Sequence, residues 1–214
     1  MRTIPYISEC LQPLEETIQN DLIPSLFKRN VSDSLRELLA LPARLGGMGI
    51  INPTKVSDDE YRNSRKLTQP LTNLIIKQNV LDEIDHVEID QDKVVKVKKE
   101  ISKEREAKQR RQYDEVVNGK NRTKEELKRI KMNQEKGASN WLSSLPLKEN
   151  GFSLNKQEFH DAVAIRYGLP VENLPETCVC GNSFSVEHAM RCKMGGYVAI
   201  KHNDVRDVTY EMMA

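Results

Sequence analysis

Three of the chain's four cysteines fall in one window, Cys178 to Cys192 (CVCGNSFSVEHAMRC), and a histidine lies among them. The types and spacing read C-x-C-x7-H-x3-C. Thiolates and imidazoles are the donors that zinc prefers, and four of them close a tetrahedral shell. Cys178 and Cys180 are alternate residues of a short strand or turn, so both sulfurs reach one point, and Gly181 lets the chain fold back. Ser185 is placed to cap a following helix, on which His188 and Cys192 stand four residues apart and therefore on one face. Cys178, Cys180, His188 and Cys192 are thus expected to hold Zn2+ in a structural site. All four positions are filled by protein, so none is open for an activated water, and hydrolytic chemistry is not expected. His202 is an alternative fourth ligand beyond Gly195-Gly196, and buried free thiols are the plain alternative to a metal. Cys10 is remote in sequence and reads as a half-buried helix residue.

The elements that must position this window are helical. The chain has 214 residues, of which 38% are hydrophobic, 5% aromatic and 30% charged, and its formal net charge is +1. Such a composition suits helical modules with thin cores, and any attraction for nucleic acid must come from local patches. No apolar run reaches the length of a membrane span, and the N-terminus lacks the layout of a signal peptide. An intracellular, reducing setting is therefore expected, nuclear or cytoplasmic, where clustered cysteines favour metal over disulfide.

Leu11, Leu14, Ile18, Leu22 and Phe27 recur at helical spacing, with Pro24 expected to kink or end the helix. Ser34 with Glu37 reads as a capping box for a second helix that stops at Pro42, giving a helical hairpin. LPARLGGMGIINP, residues 41–53, matches neither phosphate-binding fingerprint and reads as a tight turn where a short strand packs. Ser57 with Glu60 predicts another helix start, interrupted at Pro70. Residues 82–92 are acid-rich and read as a solvated connector that includes His86. From Gln91 to Lys136 there are 16 lysines and arginines against 9 acidic residues. That excess predicts either a solvated helix laced with ion pairs or a basic arm for phosphates, with Lys108, Arg110, Arg111, Lys128 and Arg129 as its candidate contacts. Few aromatics are interleaved, so base stacking is not expected of that arm. Thr123 with Glu126, and Asn155 with Glu158, predict two further capping boxes, the second opening a helix closed by Gly168. His160 beside Asp161 has no nucleophile to serve and reads as an ordinary helix residue.

CVCG, FSVEHAMRCKMGGYVAIKHNDVRD, LPARLGGMGIINP, EYRNSRKLTQPLTNLI and KGASNWLSSLPL together resemble the post-polymerase region of non-LTR retrotransposon polyproteins. In that family a CCHC zinc motif follows the reverse transcriptase and precedes a restriction-like endonuclease. The resemblance covers nearly the whole chain and is most specific from Lys136 to Asp207. It implies that Cys178, Cys180, His188 and Cys192 are the zinc ligands and that His202-Asn203 opens the first endonuclease helix. Lys201 stands where the family typically has arginine, a weaker fork for phosphate. The resemblance also implies that the polymerase palm motif lies upstream of Met1 and the nuclease residues downstream of Ala214. The chain is then a fragment without either catalytic core of its parent RNA-directed DNA polymerase and endonuclease.

The expected fold class is mainly α. It comprises a thumb-like helical hairpin, a long charged helical middle, a small helical segment and a C-terminal zinc knuckle of a short β-turn plus helix. The expected divisions are 1–80, thumb-like; 81–136, a charged linker or arm; 137–175, a small helical segment; and 176–214, the knuckle and the start of a truncated endonuclease-like helix. Lys193, Lys201 and Arg206 would meet phosphates beside the metal. The expected function is a non-catalytic, zinc-stabilised fragment that binds the DNA or RNA backbone, mostly without sequence preference. A full-length element protein is a possible partner. The alternative is a helical protein–protein scaffold whose zinc only staples the fold.

Overall fold

A computed structural model describes residues 3–78, 91–119, 122–150, 153–195 and 197–213. The acid-rich connector lies, up to Asp90, outside these residues, as does His86. The chain divides into two compact units, Met1–Leu169 and Pro170–Ala214. The expected segments 1–80 and 81–136, and most of 137–175, share the first unit. Among the described residues the fold is mainly α-helical, and no helix is long and apolar enough to cross a membrane.

The first unit begins with α1 (Gln12–Thr17), which passes through a π-helical stretch, Ile18–Leu22, into α2 (Ile23–Phe27). Pro24 has no N–H to offer and its ring crowds the preceding turn. The helix nevertheless runs through Pro24, with the wider π turn just ahead of it and Ile23 N–H bonded to Ile18 O. It ends at Lys28, whose φ of 54° is left-handed. Helix α3 (Asp33–Ala40) is capped by Ser32, which accepts from Leu35 N at 3.3 Å. The cap thus lies two residues before the expected Ser34, and Glu37 instead pairs with Lys55 Nζ at 2.6 Å.

The glycine-rich stretch folds back on the end of α3. Met48 N and Ile50 N both donate to Leu39 O, at 3.2 and 3.0 Å, and Gly49 N donates to Leu41 O at 2.8 Å. Carbonyls that a helix end leaves unpaired are thereby satisfied. The turn is as tight as expected, but no strand accompanies it. A Cβ on Gly47 would sit 1.9 Å from Leu41 O, a backbone atom with no room to move. Gly47→Ala is therefore expected to destabilise the first unit by at least ~2 kcal/mol, the range for overpacking, read as a lower midpoint in urea unfolding. An unchanged midpoint would contradict this close approach.

Helix α4 (Pro53–Gln78) starts earlier than expected, with Pro53 in its first turn. Asn52 Oδ1 accepts from Thr54 N and Lys55 N at 3.0 and 3.3 Å, which makes Asn52 the cap. Ser57, the expected cap, is wholly buried inside the helix and bonds to Thr54 O at 3.2 Å. Pro70 lies inside α4 without ending it. Helix α5 (Gln91–Asn118) is tied to α4 by ion pairs: Lys66 with Glu104 at 2.9 Å, Arg105 with Glu60 at 2.6 Å, and Lys108 with Asp59. Burial raises the Asp59 carboxyl, but Lys108 and Arg62 together hold it below the ordinary range.

Helix α6 (Lys124–Asn133) has the expected Thr123–Glu126 capping box, and α8 (Lys156–Tyr167) has the Asn155–Glu158 box and ends at Gly168, φ 69°. Between them lies the short α7 (Asn140–Ser143). The core joins Ile23, Phe27, Leu38, Leu39, Leu41 and Leu45 to Ile130, Val163 and Tyr167. Ile130 belongs to the charged middle of the chain, yet only 2% of its surface is exposed. Phe27 and Tyr167 meet at 5.8 Å between ring centres, and Trp141 meets Phe159 edge-on at 6.2 Å. Burial pushes the Tyr167 hydroxyl up to about 12, and it donates to Gly46 O at 3.3 Å.

The second unit corrects the expected fold class at one point. The knuckle of a short β-turn plus helix does not form, because no β-strand exists among the described residues. The two-cysteine limb is a loop whose only sheet-like feature is an isolated bridge between Thr177 and Ser183. The ladder has nowhere to grow. Pro175 has no N–H on one side, and Ser185 already caps α9 (Val186–Arg191) on the other. Helix α10 (Tyr197–Met213) completes the unit.

Candidate metal centre

Two local structures aim four donors at one point. In the loop, Gly181 N donates to Cys178 O and Cys178 N donates to Asn182 O, both at 2.8 Å. Gly181 turns the chain at φ 82°, a conformation that a side chain rarely adopts. In the helical limb, Ser185 Oγ accepts from His188 N at 3.0 Å, and Cys192 N donates to His188 O at 2.8 Å. That bond closes the turn that stacks Cys192 over His188, as the four-residue spacing predicts.

The donor atoms of Cys178, Cys180, His188 and Cys192 all lie within 4.8 Å of one another. Cys178 Sγ and Cys192 Sγ are 3.6 Å apart, and Cys180 Sγ is 3.2 Å from His188 Nε2. A tetrahedral zinc with bonds of about 2.3 Å to sulfur and 2.0 Å to nitrogen needs edges of about 3.8 and 3.5 Å. The cluster is close to that size. A sulfur–sulfur gap of 3.6 Å is far too long for a disulfide, and all four cysteines of the chain are free. The cluster is capable of coordinating a divalent metal such as Zn2+.

Its electrostatics favour a cation. A backbone N–H from Asn182 draws the Cys180 thiol down to about 6; burial opposes this, and hydrogen bonds from Cys192, Cys178 and His188 add to it. For Cys178 a backbone N–H from Cys180 favours the thiolate, but burial and thiol hydrogen bonds to Cys192 and Cys180 outweigh it, and the net shift is upward. Thiols crowded this closely cannot all ionise without a cation between them. Cys178 and Cys192 are buried, while Cys180 and His188 are half-buried. With four protein donors the tetrahedral shell is full, which suits a structural rather than a hydrolytic metal.

No protein-family model, no curated protein and no solved structure matches the chain.

The other sequence-predicted residues are scattered. His202 is exposed on α10 and outside the four-donor cluster; Cys10 is exposed rather than half-buried. His160 is buried, and its Nδ1–H donates to Leu26 O at 2.7 Å, while Asp161 accepts from Gln157 Nε2. No His160–Asp161 pair exists. Among the candidate phosphate contacts, Lys108 is engaged with Asp59 and Lys55 O. Arg129 donates to Ile165 O at 3.1 Å, and Arg206 pairs with Asp207 at 2.8 Å. Arg110, Arg111, Lys128, Lys193 and Lys201 are exposed. Sequence reasoning missed the buried charges, Glu15 with Arg36, and Arg166. Glu15 carried a signal, because it sits four residues after Leu11 and three before Ile18, inside an apolar stripe.

Proposed function

We propose that this chain is a zinc-stabilised, nucleic-acid-binding segment of a non-LTR retrotransposon reverse transcriptase–endonuclease protein, without catalysis of its own. The observation that carries the reading is the convergence of Cys178, Cys180, His188 and Cys192 on one point, the residues that the resemblance to that family implies as its zinc ligands. Lys193 follows the last ligand directly and is exposed, so a bound metal fixes its place beside a phosphate backbone; Lys201 is exposed on α10. The contacts are to phosphates, and binding is therefore mostly sequence-independent.

A mobility-shift titration of the zinc-loaded protein against duplex DNA and RNA tests this. Affinity is expected to fall steeply with salt. A Lys193→Ala/Lys201→Ala variant should weaken binding about equally on all sequences and reduce the salt slope by about two. A flat salt response, or an unchanged slope in the variant, would overturn the reading. One observation favours the scaffold alternative. Helix α10 exposes Ile200, Val205, Val208 and Met212, the last at 84%, which suits a protein partner. That alternative predicts no shift with either nucleic acid.

A further inference from the structure

A groove of the first unit has a volume of about 930 Å³ and lies along one face of α4. Tyr61, Arg62, Arg65 and Lys66 line it at helical spacing, from Asp58 at one end to Gln69 at the other. The opposite wall comes from Val97 and Glu100 of α5, and Tyr6 closes the N-terminal side. At 1.5 Å per residue the lined stretch of α4 is about 16 Å long, the length of roughly five stacked nucleotides at 3.4 Å each.

Aromatic residues are scarce in this chain, and Phe27, Trp141, Phe159 and Tyr167 are committed to the core or packed against it. Tyr6 and Tyr61 are not. Tyr6 is 88% exposed and holds a φ of 56°, in the left-handed region that is strained for a bulky residue. Strain of this kind, with an aromatic ring left in solvent at the rim of a groove, is a mark of a binding position rather than of packing. The cations beside the rings are held in place differently. Arg62 is fixed by Asp59 and Lys66 by Glu104, whereas Arg65 is exposed and has no ion pair among the described residues. Asp58 and Glu100 offset part of the positive charge, so phosphate attraction alone would be weak here. Stacking must supply the rest, and stacking needs unpaired bases.

We propose that this groove binds single-stranded nucleic acid, with Tyr6 and Tyr61 as stacking platforms and Arg65 as the phosphate contact. The inference rests on the nucleic-acid reading above for its ligand class, but places a second contact in the unit that does not carry Cys178–Cys192. It predicts a preference for single strands over duplex and a shallow salt dependence.

Fluorescence anisotropy of a labelled oligothymidylate with the full zinc-loaded chain tests it. Tyr6→Ala and Tyr61→Ala should each weaken binding about five- to hundredfold, while Tyr6→Phe and Tyr61→Phe keep it. Arg65→Ala should flatten the salt slope by about 0.7. Tyr6 is nearly all in solvent, so its variants report on binding even if Tyr61→Ala unfolds the helix pair. Unchanged affinity in Tyr6→Ala, or equal affinity for duplex and single strand, overturns the groove. If Lys193→Ala/Lys201→Ala abolishes duplex binding while the tyrosine variants change nothing, the metal-centred reading stands and the groove falls. Tyrosine-dependent oligothymidylate binding that survives those lysine changes supports the groove, whatever becomes of the other reading.

Discussion

Purified protein loaded with zinc is expected to carry one ion per chain, and Cys180→Ser is expected to lose it. Among the described residues of Pro170–Ala214, only Cys178 and Cys192 are buried. Apolar side chains there face solvent, Val179 at 79% and Met194 at 71%. A unit without an apolar centre cannot offset the entropy of ordering its loop, so the metal must do so. Structural zinc contributes about 10–16 kcal/mol of apparent binding energy at neutral pH, which is ample for a unit of this size. Chelation should therefore melt residues 170–213 and leave the first unit folded, since its core from Ile23 to Tyr167 contains no ligand. Metal analysis reads the stoichiometry, and hydrogen exchange resolved by segment reads the melting. Cys10→Ser is the matched control and should keep the ion. Acid should reproduce chelation. Folding lowers the Cys180 thiol from 9.0 to about 6, so its stabilising contribution is complete above pH 9, shrinks as pH falls, and is gone below about 6. Metal retention is expected to fall in acid as protons compete with the ion for the thiolates and the imidazole. Stoichiometric metal in Cys180→Ser, or exchange protection of residues 170–213 that ignores chelation, would refute the site.

This centre was legible in the sequence because its constraints are local. A fixed spacing in a loop and a four-residue step on a helix place four donors without any help from distant residues. Capping boxes at Thr123 and Asn155 were legible for the same reason: both partners lie three residues apart. The features that the sequence hid depend on long-range packing or on small changes of helical pitch. The stripe Leu11, Leu14, Ile18, Leu22 and Phe27 assumes an ordinary α-helix. The π turn at Ile18–Leu22 rotates the next helical turn, so Leu22 is 44% exposed and Ile23 is buried in its place, while Phe27 is buried as the stripe expects. At Ser34 and Ser57 the capping pattern was present, but Ser32 and Asn52 lay just upstream and took the helix start first. The charged middle hid its role in the core because few apolar residues carry it: Ile130 is buried there, and Tyr113, Val116 and Val117 pack against that core. The β-turn of the knuckle was over-read: alternation of two cysteines says that their sulfurs converge, not that a strand pairs. The groove beside Tyr61 needs three segments that are far apart in sequence, Pro5–Tyr6, α4 and α5, and no local pattern announces it.

Glu15→Ala is expected to be the most damaging single substitution in the first unit. Glu15 lies in α1 and Arg36 in α3, and their side chains are 8% and 5% exposed. The pairing is bidentate: Arg36 Nε donates to Glu15 Oε1 at 2.9 Å and Nη2 to Oε2 at 2.8 Å. The same guanidinium reaches Ile50 O at 2.8 Å and Ile51 O at 3.4 Å, so it also holds the chain leaving the glycine turn. Arg36 is thus the joint of three segments. Removing the carboxylate leaves a buried, unpaired cation, and breaking such a pair costs about 3–5 kcal/mol. For a unit of this size that corresponds to a fall in Tm of roughly 6–20 °C. Glu15→Gln keeps the shape and one acceptor oxygen, and should lose less. The pair's net worth is a separate question, because taking two charges out of water offsets most of their attraction. The paired replacement Glu15→Leu/Arg36→Met is therefore expected to lie near the parent in stability, while either single change falls well below it. Urea unfolding of the four proteins forms a double-mutant cycle that reads the coupling directly. Additive losses across the cycle would mean that the two side chains act independently, and the joint would then be the backbone contacts of Arg36 alone.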